Sequence, residues 1–297
     1  MTISELAAYF QTRYIDRHLK PTTARGYRVN ISKYIVPLLG ALPVEKLNYR
    51  IIDDAVDRMF TAGLSGRSVV YVLATLSKIY SFGIKQEFCA YNPVISYDYP
   101  RLKRYDYTVL SAEEVDKLLS ATEKSTYFPA FLLACHYGLR RGECFGVTVG
   151  DISGDVLKIS RSVNVVSKEV QITTPKSGKF RFIKLLPEDV TKLKEYDQKR
   201  PPSPSKLLIR SVTGKTVSPN MANKELKKYV ELLKLPKIRF HDLRHTYATI
   251  MMENGINPKI VSEVLGHSSV DITLDIYSHC NTKMQDVCLD VWKGKNG

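Results

Sequence analysis

The stretch Tyr99-Pro100-Arg101-Leu102-Lys103-Arg104-Tyr105 divides this sequence in two. It is basic, has no helical period, and contains a proline that breaks regular hydrogen bonding. Six residues later, Ser111 and Glu114 stand at the spacing of a reciprocal helix cap, so a new element starts there. The 297 residues are enough for two ordinary domains with self-sufficient cores. The expected organisation is a unit over 1–98, a basic linker over 99–109, and a second unit over 110–297.

The first unit reads as a helical bundle. Ile3, Leu6, Ala7, Phe10 and Tyr14 make one apolar face. After a break at Lys20-Pro21, Thr22 or Thr23 is expected to cap a helix with Tyr27, Ile31, Tyr34 and Ile35 as its buried stripe, ending at Pro37–Gly40. Asn48 caps a third helix over about 51–61. The longest helix runs from Ser65 to about Lys85 on Val69, Val72, Leu73, Leu76, Ile79 and Tyr80, and Asn92-Pro93 closes the bundle. Residues 1–105 hold 15 Lys+Arg against 8 Asp+Glu, a net +7.

The second unit mixes periods. The apolar run from Tyr127 ends at Tyr137-Gly138, and a turn then presents Arg140 and Arg141 ahead of a short helix carrying Glu143, a local partner for Arg140. Alternation over 156–159, 162–166, 170–173 and 180–185 predicts a small antiparallel sheet, with Pro175-Lys176-Ser177-Gly178 as a hairpin tip. Helices are expected over 187–198 and from Ser218-Pro219 to about Leu233. The stretch from Phe240 to His279 then gathers polar side chains that no core needs. His241 and Arg244 share one face at a helix start, where the dipole favours an anion, and His267 and Tyr277 follow. Such a cluster could bind a phosphate and attack it with a tyrosine. Zinc on His241, His245 and His267 fits poorly, since Asp242 stands where a zinc protease helix has Glu and Arg244 would repel the ion. No metal and no cofactor are expected. His136, His245 and His279 are read as structural.

The net charge of +14 points to a polyanion, nucleic acid being the commonest. The five cysteines are scattered and odd in number, which argues against a disulfide framework and fits a reducing cytoplasm. There is no signal-like N-terminus and no apolar run long enough to span a membrane.

Together these motifs resemble the tyrosine recombinases of the phage-integrase family. Gly138-Leu139-Arg140-Arg141-Gly142-Glu143, Lys176, His241-Asp242-Leu243-Arg244, Leu265-Gly266-His267 and Tyr277 stand in the family's order and spacing. The ending Thr273-Leu274-Asp275-Ile276-Tyr277-Ser278-His279 is most like integrases of mobile elements. The resemblance implies a mainly α fold with a small antiparallel β-sheet, made of a SAM-like helical core-site-binding bundle and an α+β catalytic domain. It implies that Tyr277 is the nucleophile and that Arg140 and Arg244 clamp the phosphate. Lys176 would be the general acid, His241 would assist proton transfer and His267 would hydrogen-bond the phosphate, with Glu143 in support. The implied product is a 3′-phosphotyrosine, formed without metal and exchanged through a Holliday junction in a homotetramer on double-stranded core sites. DNA contacts are expected from Arg25, Arg28, Lys33, Arg67, Lys78, Arg101, Lys103 and Arg104. The C-terminal segment, with Met284, Val287, Cys288 and Val291 as an apolar stripe, would dock on a neighbouring protomer, and an accessory factor could set direction. The alternatives are a Xer-like dimer resolvase and a catalytically silent DNA-binding protein.

Overall fold

The computed structural model describes residues 1–102, 107–166, 169–173 and 180–266. The chain forms two compact units, Met1–Tyr105 and Asp106–Gly297.

In the first unit, α1 (Ile3–Phe10) continues through a π-helical stretch, Gln11–Ile15, into α2 (Asp16–His18). The next helix repeats that construction: α3 (Pro21–Asn30), a π-helical stretch Ile31–Ile35, then α4 (Val36–Leu39). Two expectations are corrected here. Helix α3 starts at Pro21 with Lys20 in the capping position, so Thr22 and Thr23 lie inside its first turn. Proline is preorganised for that first position and has no N–H to leave unsatisfied. Pro37 lies within the last helical turn rather than ending it, directly after the wider π turns. The expected stripe also divides, because Ile31 and Ile35 are buried while Tyr27 and Tyr34 are only half-buried.

Helix α5 (Tyr49–Thr61) is capped by the Asn48 side chain, which accepts from the Ile51 amide at 3.2 Å. Helix α6 (Gly66–Lys85) is capped by Ser65. Its Val69, Leu73, Leu76, Ile79 and Tyr80 are buried against Phe10, Ile31, Ile35 and Ile52, each such residue contributing about 1.5–3 kcal/mol. The buried polar groups are paired. Asn30 Nδ2 donates to Thr75 Oγ1 at 2.8 Å, and Asn92 Nδ2 donates to the Ser77 carbonyl at 2.9 Å.

The second unit is built around α8 (Phe128–Tyr137), whose residues are almost all buried. Before it lies α7 (Ala112–Thr122), held by the Ser111–Glu114 reciprocal cap. After it come α9 (Arg141–Gly146) and strands β1 (Ile152–Ser153), β2 (Val156–Ile159), β3 (Ser162–Val166), β4 (Glu169–Thr173) and β5 (Arg181–Lys184). Helices α10 (Pro187–Gln198), α11 (Met221–Leu232), α12 (Phe240–Glu253) and α13 (Pro258–Leu265) complete the described order. Helix α12 packs on α8, with the Phe131 and Phe240 rings 5.9 Å apart.

The strands are antiparallel but form two sheets rather than one, β1-β2-β5 and β3-β4. Strand β5 pairs with β2 in the register Leu157↔Ile183, which puts both of those side chains in the core. The strands flanking residues 174–179 therefore belong to different sheets, and the expectation of a simple hairpin tip there is corrected. Lys176 itself lies outside the described residues. At the start of α11, the Ser218 side chain accepts from the Asn220 amide at 3.4 Å and its carbonyl from the Met221 amide at 3.0 Å, and the helix begins at Met221.

Gly138, at the end of α8, has φ +63°, and an added Cβ would sit 2.3 Å from Leu265 Cδ2 and 2.6 Å from Tyr247 Cδ1. Left-handed backbone and close approach of α12 and α13 both demand glycine. Gly138→Ala is expected to destabilise the protein by about 2–4 kcal/mol, read as a lower urea midpoint.

Candidate active site

Two helices of the second unit end in the same way. Helix α8 terminates in left-handed Gly138 and α13 in left-handed Gly266, at φ +67°. The last carbonyls of a helix have no partner within it and carry the negative end of its dipole. Here arginines fill that role. Arg244 of α12 donates from Nη1 to the Gly138 carbonyl at 2.7 Å and from Nη2 to the Leu265 carbonyl at 2.9 Å. Arg140, in the capping position of α9, donates from Nη1 to Leu265 O at 3.3 Å and from Nη2 to Gly266 O at 2.8 Å. Two guanidinium groups from separate elements thus meet on one carbonyl, that of Leu265.

Glu143 anchors Arg140. It is 1 % exposed, and its carboxylate accepts from Arg140 Nη1 at 3.1 Å and from the Arg140 amide at 3.1 Å. A third arginine, Arg181 on β5, forks onto the same carboxylate at 3.0 and 2.7 Å. Its Nε donates to the Val264 carbonyl at 2.9 Å. Burial alone would raise the Glu143 pKa, but the hydrogen bonds and charge of Arg181, then the charge of Arg140, hold it below the ordinary carboxylate value. Glu143 is therefore an anion, and three arginines surround it and the end of α13.

Each guanidinium has five N–H donors. Arg140 spends three of them (two from Nη1, one from Nη2) and Arg244 spends two. The rest are not taken by any described group. Arg244 is 2 % exposed, and burial, reinforced by the charge of Arg140, lowers its pKa to about 9. It remains cationic near neutral pH. Arg141 beside it is half-buried and joins no ion pair among the described residues, so the Gly-Leu-Arg turn sends Arg140 to the site.

His241 stands in the first turn of α12 and its residue surface is exposed. Desolvation by the surrounding protein, and then the Arg244 charge, lower its pKa from the usual histidine value. It is held as the neutral imidazole, the form that can accept a proton. The amides of this helix start are partly engaged: Asp242 accepts from the Arg239 amide at 2.8 Å and Asn223 from the Phe240 amide at 3.0 Å. The capacity to hold an anion consequently rests on the arginines rather than on the helix terminus. His245, one turn on, is buried between Tyr107, at 4.1 Å between ring centroids, and His241, at 4.9 Å. Its Nδ1 has no hydrogen-bond partner among the described residues. His136 Nδ1 donates to Asp189 Oδ2 at 2.8 Å, outside this cluster.

Lys176, His267 and Tyr277 lie outside the described residues, as do Lys103 and Arg104. Arg25, Lys33, Arg67 and Arg101 are exposed in the first unit. Exposed Arg28 pairs with Asp16, and Lys78 sits over the Tyr14 ring at 5.6 Å. Arg181 was not singled out by the sequence reading, although a signal existed. It shares strand parity with buried Ile183, whereas Phe182 and Lys184 are exposed, so the alternation turns Arg181 inward. An inward arginine needs an anion, and Glu143 is buried.

The phage integrase family model matches residues 108–284, more than half of the chain, and the chain belongs to that family. A tyrosine recombinase XerC-like protein of Caldanaerobacter subterraneus subsp. tengcongensis is 26% identical, over 96% of this chain and 81% of its own length. The ICEBs1 integrase of Bacillus subtilis is 25% identical, over 96% and 80%. Among solved structures, the Tn1549 transposon integrase in complex with circular intermediate DNA superposes with a TM-score of 0.83 at 19% identity, covering 97% of this chain and 99% of that one. A lambda integrase tetramer bound to a Holliday junction gives 0.75 at 19% identity, over 93% and 77%. These likenesses show the shared fold, mainly helical with small antiparallel sheets.

The depressed His245 pKa, about 4 through burial and then the charge of His241, carries a stability consequence. Between pH 6.5 and about 4 the unfolded chain binds a proton there and the folded chain does not, so stability falls as pH drops through that window. His241 shifts in the same direction. His245→Phe is expected to lose less stability than the parent between pH 7.5 and 4.5, by on the order of 2–3 kcal/mol in urea unfolding. Parallel losses in both proteins would refute the assignment.

Proposed function

We propose that this protein is a site-specific DNA recombinase that integrates and excises a mobile element. The supporting observation is the convergence of Arg140 and Arg244 on one point, with donors to spare, in a chain of the phage integrase family. A forked pair of guanidinium groups suits the non-bridging oxygens of a phosphodiester and the greater negative charge of its pentacoordinate state.

In the proposed reaction the Tyr277 phenol oxygen bonds to the scissile phosphorus while the bond from phosphorus to the 5′-oxygen breaks. The phenol proton leaves by way of neutral His241, and Lys176 supplies a proton to the departing 5′-oxygen. Energy of the broken ester is kept in a 3′-phosphotyrosine, so a 5′-hydroxyl of another strand can reverse the step and reseal DNA. Two steps of this kind, with exchange between them, pass through a Holliday junction. The guanidinium charge supplies what metal ions supply in other phosphoryl-transfer enzymes, and the reaction is proposed to need none.

The unit over 1–98 is proposed to grip core-site DNA through Arg25, Arg28, Lys33, Arg67 and Lys78, with 99–109 as a basic linker along the phosphates. A homotetramer, joined by exchange of the C-terminal segment between protomers, would assemble on paired sites, with an accessory factor setting direction. No helix among the described residues is long and apolar enough to cross a membrane, and a cytoplasmic, nucleoid-bound location is proposed. Resolution of replicon dimers by a Xer-like route differs in substrate only, and the DNA flanking the gene distinguishes the two.

The test uses a core-site duplex with a nick that lets the 5′-hydroxyl strand diffuse away. With chelator present, the protein is expected to form a covalent protein–DNA adduct that resists denaturation, and Tyr277→Phe is expected to form none. Absence of adduct with the parent protein on every flanking attachment sequence would end the enzymatic reading.

A further inference from the structure

The proposed chemistry uses Arg140 and Arg244, yet a third arginine is built into the same cluster and has no part in it. Arg181 engages Nε, Nη1 and Nη2 with protein acceptors, and its side chain is 14 % exposed. Three of its five N–H donors are taken, two of them as a fork on Glu143, so the group it holds most firmly is that carboxylate.

The group that matters is Glu143. A buried carboxylate with one arginine partner draws that partner into a two-bonded fork, since this is the strongest pairing open to both. Arg140 is adjacent, three residues away, and would fold onto Glu143 in that way. Arg181 prevents this by taking both carboxylate oxygens itself, at 3.0 and 2.7 Å. Arg140 is left with a single guanidinium bond to Glu143, and its other contacts go to Leu265 and Gly266. Arg181 also bears directly on that turn: a Cβ on Gly266 would lie 3.1 Å from Arg181 Nη1 and 3.3 Å from its Cδ. One side chain thus links Glu143 of α9 to the end of α13.

We propose that Arg181 is a positioning residue of the phosphate clamp: it occupies Glu143 so that Arg140 stays directed at the end of α13 and at the scissile phosphate. This rests on the recombinase reading above. Misdirecting a catalytic group by about 1 Å costs roughly 100-fold in rate, and Arg181→Met is expected to slow single-turnover adduct formation by about that factor while DNA affinity holds. The distinguishing measurement is second-site rescue. Adding Glu143→Gln removes the charge that captures Arg140, and the double variant is expected to recover about tenfold over Arg181→Met, because coupled residues are non-additive. Thermal midpoints are measured alongside. If Arg181→Met does not fold, the same comparison is made with Arg181→Lys and Arg181→Lys/Glu143→Gln, which keep the charge and lose only the fork; the same order of rates is expected. An Arg181 variant as fast as the parent, or no recovery on neutralising Glu143, overturns the proposal. A parent protein that forms no adduct at all defeats the recombinase reading, and this inference falls with it.

Discussion

The interaction on which the second unit depends is between guanidinium groups and the carbonyl ends of two helices. Helices α8 and α13 are far apart in sequence and each ends in a left-handed glycine that exposes its last carbonyls. Arg244 ties the two ends together, bonding Gly138 O and Leu265 O with one side chain. Unpaired, those buried carbonyls would each cost about 1–3 kcal/mol. Cations placed there gain from both dipoles as well. The glycines and the arginines are therefore parts of a single device, and either without the other leaves buried polar groups unmatched.

Glu143 is the counterweight. Positive groups gathered at the end of one helix repel each other: Arg181 and Arg140 hold the carboxylate pKa down, and burial, then neighbouring arginine charge, lowers those of Arg244 and His241. Only a buried anion makes the arrangement tolerable. Because the carboxylate is shared between α9 and β5, the small sheet is tied to the helical core through it.

Much of this was legible from the sequence where the cause is local. The Asn48, Ser65 and Ser111 caps and the left-handed Gly138 act within a turn of their own positions, and each element begins or ends where its residues indicate. The pairing of Arg140 with Glu143 was legible because buried charges need partners, and the structure brings Arg244 to the same helix end. What escaped was non-local. Strand β5 chooses β2 through the burial of Leu157 and Ile183, a pairing that spans intervening strands. Arg181 gains its meaning only once β5 lies beside α9. The start of α3 was misplaced for a different reason: Thr22 and Thr23 are good caps, but a proline at the first helical position outweighs them.

One feature of the cluster bears on how it treats a phosphate before and during reaction. Among the described residues, three guanidinium groups and one carboxylate leave a net charge of +2 around the end of α13, and neutral His241 adds nothing. A phosphodiester at rest carries one negative charge, whereas its five-coordinate form carries two. In the reaction proposed above, this cluster carries more charge than the resting phosphodiester and matches the five-coordinate form, so charge parity would favour the fleeting state over the stable one.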